Sequence, residues 1–365
     1  MAFVLVKRQI PTPALLVDLD RLDENLALMS AHARHHGKLL RPHAKAHKSV
    51  DLAKRQLAAG ATGLCVATVP EAELFFHAGI PGLLLTSPLA DPLKIARAVA
   101  TGAMVVVDHL QQISWYQEAA YQAARHVDVL IDLDVGDHRT GATPEQALQL
   151  GFAIARSTHL RLKGFQAYSV SGSHAGPQAD ASAGRKERKL ISEAAFQSAY
   201  ATRDEFARQG LPTDILSGGS TGTWDIDSAI PSVTELQAGS YVFLDMAYGR
   251  LNLPFKNALT VLTTVVSASQ DGFVTVDGGF KAFSTDRGYG PECPSLAGSV
   301  YKWGGDEFGI LDISACAHKP RLGDKLEFLP PHCDPTVNLY DRMYACRGDA
   351  AEAIWPIMNR LNGLR

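Results

Sequence analysis

The sequence predicts an α/β fold, a (β/α)8 TIM-type barrel followed by a second, mostly β C-terminal domain, and three observations carry that prediction. Short apolar runs alternate with amphipathic or Ala-rich stretches from about residue 15 to about residue 245. The runs are near-continuously apolar rather than alternating, as expected of parallel strands buried on both faces. About eight such strand–helix units fill roughly 230 residues, the count and length of a barrel, whereas a doubly wound open sheet rarely needs so many parallel strands.

Taken in order, the expected barrel strands are 38–44, 63–67, 82–86, 103–107, 127–133, 162–168, 213–217 and 234–237. Helical patterns such as RLDENLALMSAHAR, SVDLAKRQLAA, PEAELFFHA, DPLKIARAVA and TPEQALQLGFAIARS separate them. One insertion, from Ser171 to about Gly184, is rich in Ser, Gly and Ala, follows a strand, and is expected to be an active-site loop. After about residue 250 the texture changes. NALTVLTTVVSASQDGFVTVDGG reads as a hairpin turning at Asp271-Gly272, and the segment around PPHCDPTV is again β-rich; only the last stretch is weakly patterned. The expected division is therefore 16–245 for the barrel, and 1–15 with 246–365 for the β domain.

A chain of 365 residues suits one large domain plus a smaller one, and 46% hydrophobic with 20% charged residues is the balance of a folded protein. A net charge of -3 gives no reason to expect nucleic acid or an anionic membrane as partner. No apolar run approaches the ~20 residues that span a bilayer. Five scattered cysteines, Cys65, Cys293, Cys316, Cys333 and Cys346, form no C-x-x-C pair and read as reduced thiols of a cytoplasmic protein.

Chemistry in a barrel sits where strands end. Lys45 stands at the end of the first strand, in RPHAKAHK, where partial desolvation favours a neutral, nucleophilic amine. Arg41, His43, His47 and Lys48 surround it, and taken alone the cluster is a solvated basic turn. The other end of the barrel overturns that reading. SGGSTGTWD follows the seventh strand and AGSY the eighth. Gly-rich turns with hydroxyls, here Ser217, Gly218, Gly219, Ser220, Thr221, Gly222, Thr223, Gly239, Ser240 and Tyr241, offer donors to a phosphate at the place where barrels bind one. A phosphate-anchored carbonyl cofactor facing an amine fits pyridoxal 5'-phosphate.

The motifs TPALLVDLDRLDENL, RPHAKAHKS, IDLDVGDHRTG, GFQAYSVSGSH, SGGSTGTWD, ELQAGSYVFLD, VDGGFKAFSTD and GDKLEFLPPHCDPTVNLYD occur in one order over nearly the whole chain. In them the chain resembles the D-threonine aldolase and D-serine dehydratase family, pyridoxal-phosphate enzymes of the alanine-racemase type. The resemblance implies that Lys45 carries the cofactor as a Schiff base, that Arg139 contacts its ring oxygen, and that Gln166 and Tyr168 lie against the ring. It also implies a homodimer. In GGDEFG, Phe308 stands where the family pattern has histidine, so no role follows for that loop.

His332 and Asp334 sit two apart in PPHCDPTV; in an extended segment both face one side and Cys333 the other, and Pro335 favours that geometry for Asp334. An isolated H-x-D is ordinarily structural. The resemblance makes these two the ligands of a divalent metal, and the hard oxygen of Asp334 suits Mn2+, Mg2+ or Ca2+ better than Zn2+. It makes His174 the base that takes the β-hydroxyl proton of a D-3-hydroxy amino acid, whose Cα–Cβ bond then breaks to give glycine and an aldehyde. The rival readings are a D-serine or D-threo-3-hydroxyaspartate dehydratase and a non-catalytic pyridoxal-phosphate carrier. The β domain and the H-x-D pair argue against the carrier. Racemisation needs a tyrosine that the sequence does not place.

Overall fold

A computed structural model describes residues 5–176 and 180–358. The described chain forms two compact units, 29–239 and 5–28 with 240–358.

The first unit holds the predicted barrel, within narrower bounds than the expected 16–245. Its strands are β1 (Leu39–Leu40), β2 (Leu64–Val66), β3 (Leu83–Leu85), β4 (Met104–Val107), β5 (Val127–Asp132), β6 (Leu160–Ala167), β7 (Ile215–Gly218) and β8 (Glu235–Leu236). They pair in parallel, each with its sequence neighbour from β2 to β8, and β8 pairs with β1. Between β1 and β2 the barrel closes on a parallel bridge of His43 with Cys65, where the Cys65 N–H donates to the Pro42 carbonyl at 2.9 Å. Strands this short hold because both faces are apolar: Cys65, Leu84, Val106 and Leu130, from four successive strands, pack as one buried cluster. Each such side chain contributes roughly 1.5–3 kcal/mol by leaving water.

Local signals start the crossover helices. Thr68, Asp91 and Thr143 cap the helices Val69–His77, Pro92–Thr101 and Pro144–Ala155, each with a proline in the first turn, where a missing N–H costs nothing. The expected loop of 171–184 is instead mostly helical. Ser169 accepts from the Gly172 N–H to start the short helix Val170–His174, and Asp180 accepts from Ser182 and Ala183 to start the long helix Ala181–Arg208. Capping by Ser and Asp outweighed the Ser/Gly/Ala composition; part of the insertion, 177–179, lies outside the described residues.

The second unit is mostly β, as predicted. The strand Ala14–Asp18 pairs antiparallel with Leu259–Gln270 and parallel with Arg342–Arg347, so an early apolar run is buried between two strands from the second half of the chain. Leu259–Gln270 turns at Asp271-Gly272 into Phe273–Val276, the predicted hairpin, with Gly272 at φ 77°. The weakly patterned last stretch contributes the strand Ala350–Pro356. Phe308 lies exposed on the turn between Val300–Trp303 and Gly309–Asp312. All five cysteines are free and buried, and no helix among the described residues is long and apolar enough to cross a membrane.

Candidate active site

Lys45 lies half-buried in the single helical turn Ala44–Ala46 that follows β1. His43 caps that turn, its Nδ1 accepting from the Lys45 backbone N–H at 3.3 Å, so its proton resides on Nε2, which lies 3.1 Å from the Thr86 hydroxyl. Burial, together with the charges of Lys45, His47 and Arg139, pushes the His43 pKa well down. The histidine beside the lysine is therefore neutral, and the basic cluster is not a solvated turn: His47 is fully buried against Gln56 and Arg41 is paired with Glu235.

A belt of buried polar side chains crosses the carboxyl ends of the strands. The Arg41 guanidinium meets Glu235 at 2.8 Å, and Glu235 accepts from the Ser217 hydroxyl at 2.6 Å. The Gln237 amide donates to Ser217 at 2.9 Å and to the Gln166 carbonyl at 3.2 Å. The Gln166 amide in turn donates to the Thr86 backbone carbonyl at 2.9 Å and to Asp132 at 2.8 Å, and Thr140 donates to the other Asp132 oxygen at 2.8 Å. Burial pushes the Asp132 carboxyl up to about 6, against hydrogen bonds from Gln166 and Thr140 that favour its charged form. Two predicted cofactor residues, Gln166 and Ser217, thus spend their side-chain hydrogen bonds within this belt.

The glycine loop after β7 is packed against backbone. A Cβ on Gly218 would stand 2.0 Å from the Ala167 carbonyl oxygen, and one on Gly239 would stand 2.6 Å from that of His43. Gly219 takes φ 86°, which admits the turn that follows. Asp227 secures the loop: it accepts from the Ser220 N–H at 3.2 Å and from the hydroxyls of Thr223 and Ser192. Burial lifts the Asp227 carboxyl to about 6 despite these donors. Thr221, also in this loop, is 1% exposed, and its hydroxyl has no hydrogen-bond partner. A buried hydroxyl left unpaired within a glycine-rich turn fits a phosphate oxygen as its partner.

His174 ends the helix Val170–His174, which packs against the turn Thr221–Thr223 of the glycine loop. Tyr168 lies half-buried just after β6, with the exposed Arg139 guanidinium 5.4 Å from its ring centroid. Lys45, Arg139, Gln166, Tyr168, His174, the 217–223 loop and Gly239 all belong to the barrel unit.

Ser240, Tyr241, His332 and Asp334 belong to the other unit. Here the expected extended geometry is wrong. His332 is extended, but Cys333–Val337 is a helical turn, with Pro335 in its first turn, where proline is tolerated. The helix wins because Asp245, itself buried, accepts the Cys333 N–H at 2.7 Å. Consequently Cys333 does not face away: its thiol lies 3.3 Å from Asp334, which also accepts from the Ser240 hydroxyl at 3.3 Å. Tyr241 is buried against Phe255. His332 Nδ1 lies 2.8 Å from Asp286, which leaves Nε2 for a metal, the carboxylate–histidine arrangement that orients metal ligands. No group of three or more His, Cys, Asp or Glu side chains among the described residues could hold a metal by itself. His332 and Asp334 are thus the two side chains here that could contribute to a cation site, without a third protein ligand among the described residues.

Sequence reasoning missed Asp132, Asp227, Glu235 and Gln237. Only Asp227, in the motif WDID directly after the glycine loop, carried a local signal, since an acid there can cap the turn.

Together these features define a barrel with a lysine at one strand end and a buried, hydroxyl-bearing glycine loop at another. Residues 17–246 match the family described as "Alanine racemase, N-terminal domain", and 258–346 match the "Putative serine dehydratase domain". The chain belongs to this alanine-racemase-type family. It is 36% identical to the D-threonine aldolase of an Arthrobacter species, over 96% of this chain and 93% of that protein. It is 34% identical to the 3-hydroxy-D-aspartate aldolase of Paracoccus denitrificans, over 97% and 93%. The crystal structure of D-threonine aldolase from Filomicrobium marinum superposes with a TM-score of 0.92 at 32% identity, covering 99% of this chain and 98% of that one. A D-threo-3-hydroxyaspartate dehydratase is also among the relatives.

Proposed function

We propose that this protein is a pyridoxal-phosphate- and divalent-metal-dependent carbon–carbon lyase that cleaves D-3-hydroxy amino acids to glycine and an aldehyde. The observation that carries the reading is the near end-to-end similarity to two aldolases of such substrates, at 36% and 34% identity. The unpaired buried hydroxyl of Thr221 supports a phosphate in the glycine loop.

Pyridoxal phosphate supplies an electron sink for the charge left at Cα when the Cα–Cβ bond breaks. Lys45 would hold the cofactor through Nζ, and the neutral His43 fixes the turn that presents the lysine without adding positive charge. The belt from Arg41 to Asp132 keeps Gln166 in one orientation. Thr221 would donate to the phosphate, while Asp227 holds Ser220 and Thr223 in the loop. His174 takes the substrate hydroxyl proton. His332 and Asp334 would hold the divalent metal, with Asp286 orienting the imidazole, and a hard oxygen donor favours Mn2+ or Mg2+ over Zn2+. That metal would supply acidification of a coordinated hydroxyl. A cytoplasmic homodimer belongs to the same reading.

Product analysis of D-threonine and D-3-hydroxyaspartate with added Mn2+ tests it. Glycine with the matching aldehyde is the expected outcome. A 2-oxo acid with ammonia selects the dehydratase reading instead, and no turnover of either substrate refutes the assignment.

A further inference from the structure

Arg188 sits on the long helix Ala181–Arg208 and is 3% exposed. A buried guanidinium ordinarily faces a carboxylate. Here no carboxylate lies within ion-pair distance among the described residues, and the nearby Asp225 is taken by Arg185 at 2.7 Å. Arg188 instead donates to two backbone carbonyls, Nε to Gly222 at 3.0 Å and Nη1 to Ala175 at 3.4 Å. Gly222 belongs to the phosphate loop, and Ala175 directly follows His174. One side chain therefore ties together the two segments that the proposed chemistry requires to act together.

The surroundings are built for this tie. Ser192, one turn further along the same helix, donates to Asp227, which secures the same loop from its other end. Gly176 lies so close to the helix that a Cβ there would stand 2.5 Å from the Gly184 Cα, so the chain after His174 is drawn against the helix within reach of Arg188. The fork of a guanidinium can serve two acceptors in different directions, which a lysine ammonium at the end of a flexible stem does poorly.

We propose that Arg188 is a positioning residue: it clasps the His174 segment to the phosphate loop, so that a loaded phosphate site and a correctly placed His174 are one event. Its buried, carboxylate-free charge also strengthens the loop's attraction for a dianionic phosphate. This rests on the aldolase reading for the role of His174, but its cofactor readout does not.

The test uses the full-length chain carrying Arg188→Met or Arg188→Lys. Affinities are measured for pyridoxal 5'-phosphate and for pyridoxal, which lacks the phosphate, and glycine release is followed at saturating cofactor. For Arg188→Met the expected result is about a tenfold or greater loss of affinity for the phosphate form, no more than about a twofold change for pyridoxal, and about a tenfold fall in kcat that saturating cofactor does not restore, with KM little altered. Arg188→Lys should keep most of the phosphate preference, since its charge remains, yet still lose kcat. Equal losses for both cofactor forms, or full recovery of kcat at saturating cofactor, would overturn the clasp, as would a fall in Tm with both readouts unchanged. Failure of the wild-type chain to release glycine would sink the aldolase reading instead, leaving the phosphate preference to judge Arg188.

Discussion

Replacing Thr221 by valine isolates the phosphate reading, because it predicts opposite effects on the empty and the loaded protein. Thr221 is 1% exposed and its hydroxyl has no protein partner, so the empty protein bears the desolvation of an unpaired donor, about 1–3 kcal/mol. Valine keeps the branched shape and removes the hydroxyl. The cofactor-free Thr221→Val protein should therefore be as stable as wild type or more stable by about 1 kcal/mol. In the loaded protein the same change deletes a hydrogen bond to a charged phosphate, worth about 1.5–3 kcal/mol, or roughly tenfold to 150-fold in affinity. Urea denaturation of the cofactor-free protein and a fluorescence titration with pyridoxal 5'-phosphate measure the two effects. A destabilised cofactor-free variant with unchanged cofactor affinity would refute the reasoning, since Thr221 would then be packing for the loop rather than contacting phosphate.

Two further outcomes are expected. Burial raises the Asp132 carboxyl from 3.8 to about 6, so the folded chain holds that proton more tightly than the unfolded one; its stabilising effect is full below about pH 4 and is lost as pH rises through about 6. Relative to wild type, Asp132→Asn should accordingly gain stability between pH 4 and pH 7, by up to about 3 kcal/mol, and a flat difference across denaturation midpoints in that range contradicts the assignment. Substituting His332 or Asp334 by alanine should cut metal-dependent glycine release about a hundredfold while the visible absorption of the lysine-bound cofactor persists; full activity after chelation of the wild-type protein rules out the metal role.

The residues that sequence placed well are those whose signal is local. Apolar runs of strand length marked β2, β3 and β4 most plainly, because burial on both faces leaves no polar position in those runs. The Asp271-Gly272 turn was legible because only its glycine accepts the positive φ. The loop 171–184 and the H-x-D segment were misjudged for a common reason. A capping side chain in one case, and the distant carboxylate of Asp245 in the other, supplied hydrogen bonds that composition does not reveal.

By itself the sequence determined the barrel, its order of strands, and the placing of Lys45 and the glycine loop at strand ends, because periodicity, turn chemistry and chain connectivity are properties of neighbouring residues. Only the tertiary structure decided what those ends are made of. Arg41 meets Glu235, and Gln237 meets Gln166, because strand order brings together residues remote in the chain. Arg188 looks like any helix cation until two carbonyls from separate loops converge on it. Buried polar groups must find partners wherever the fold supplies them, and such partnerships are non-local, so they become visible only once the chain is folded.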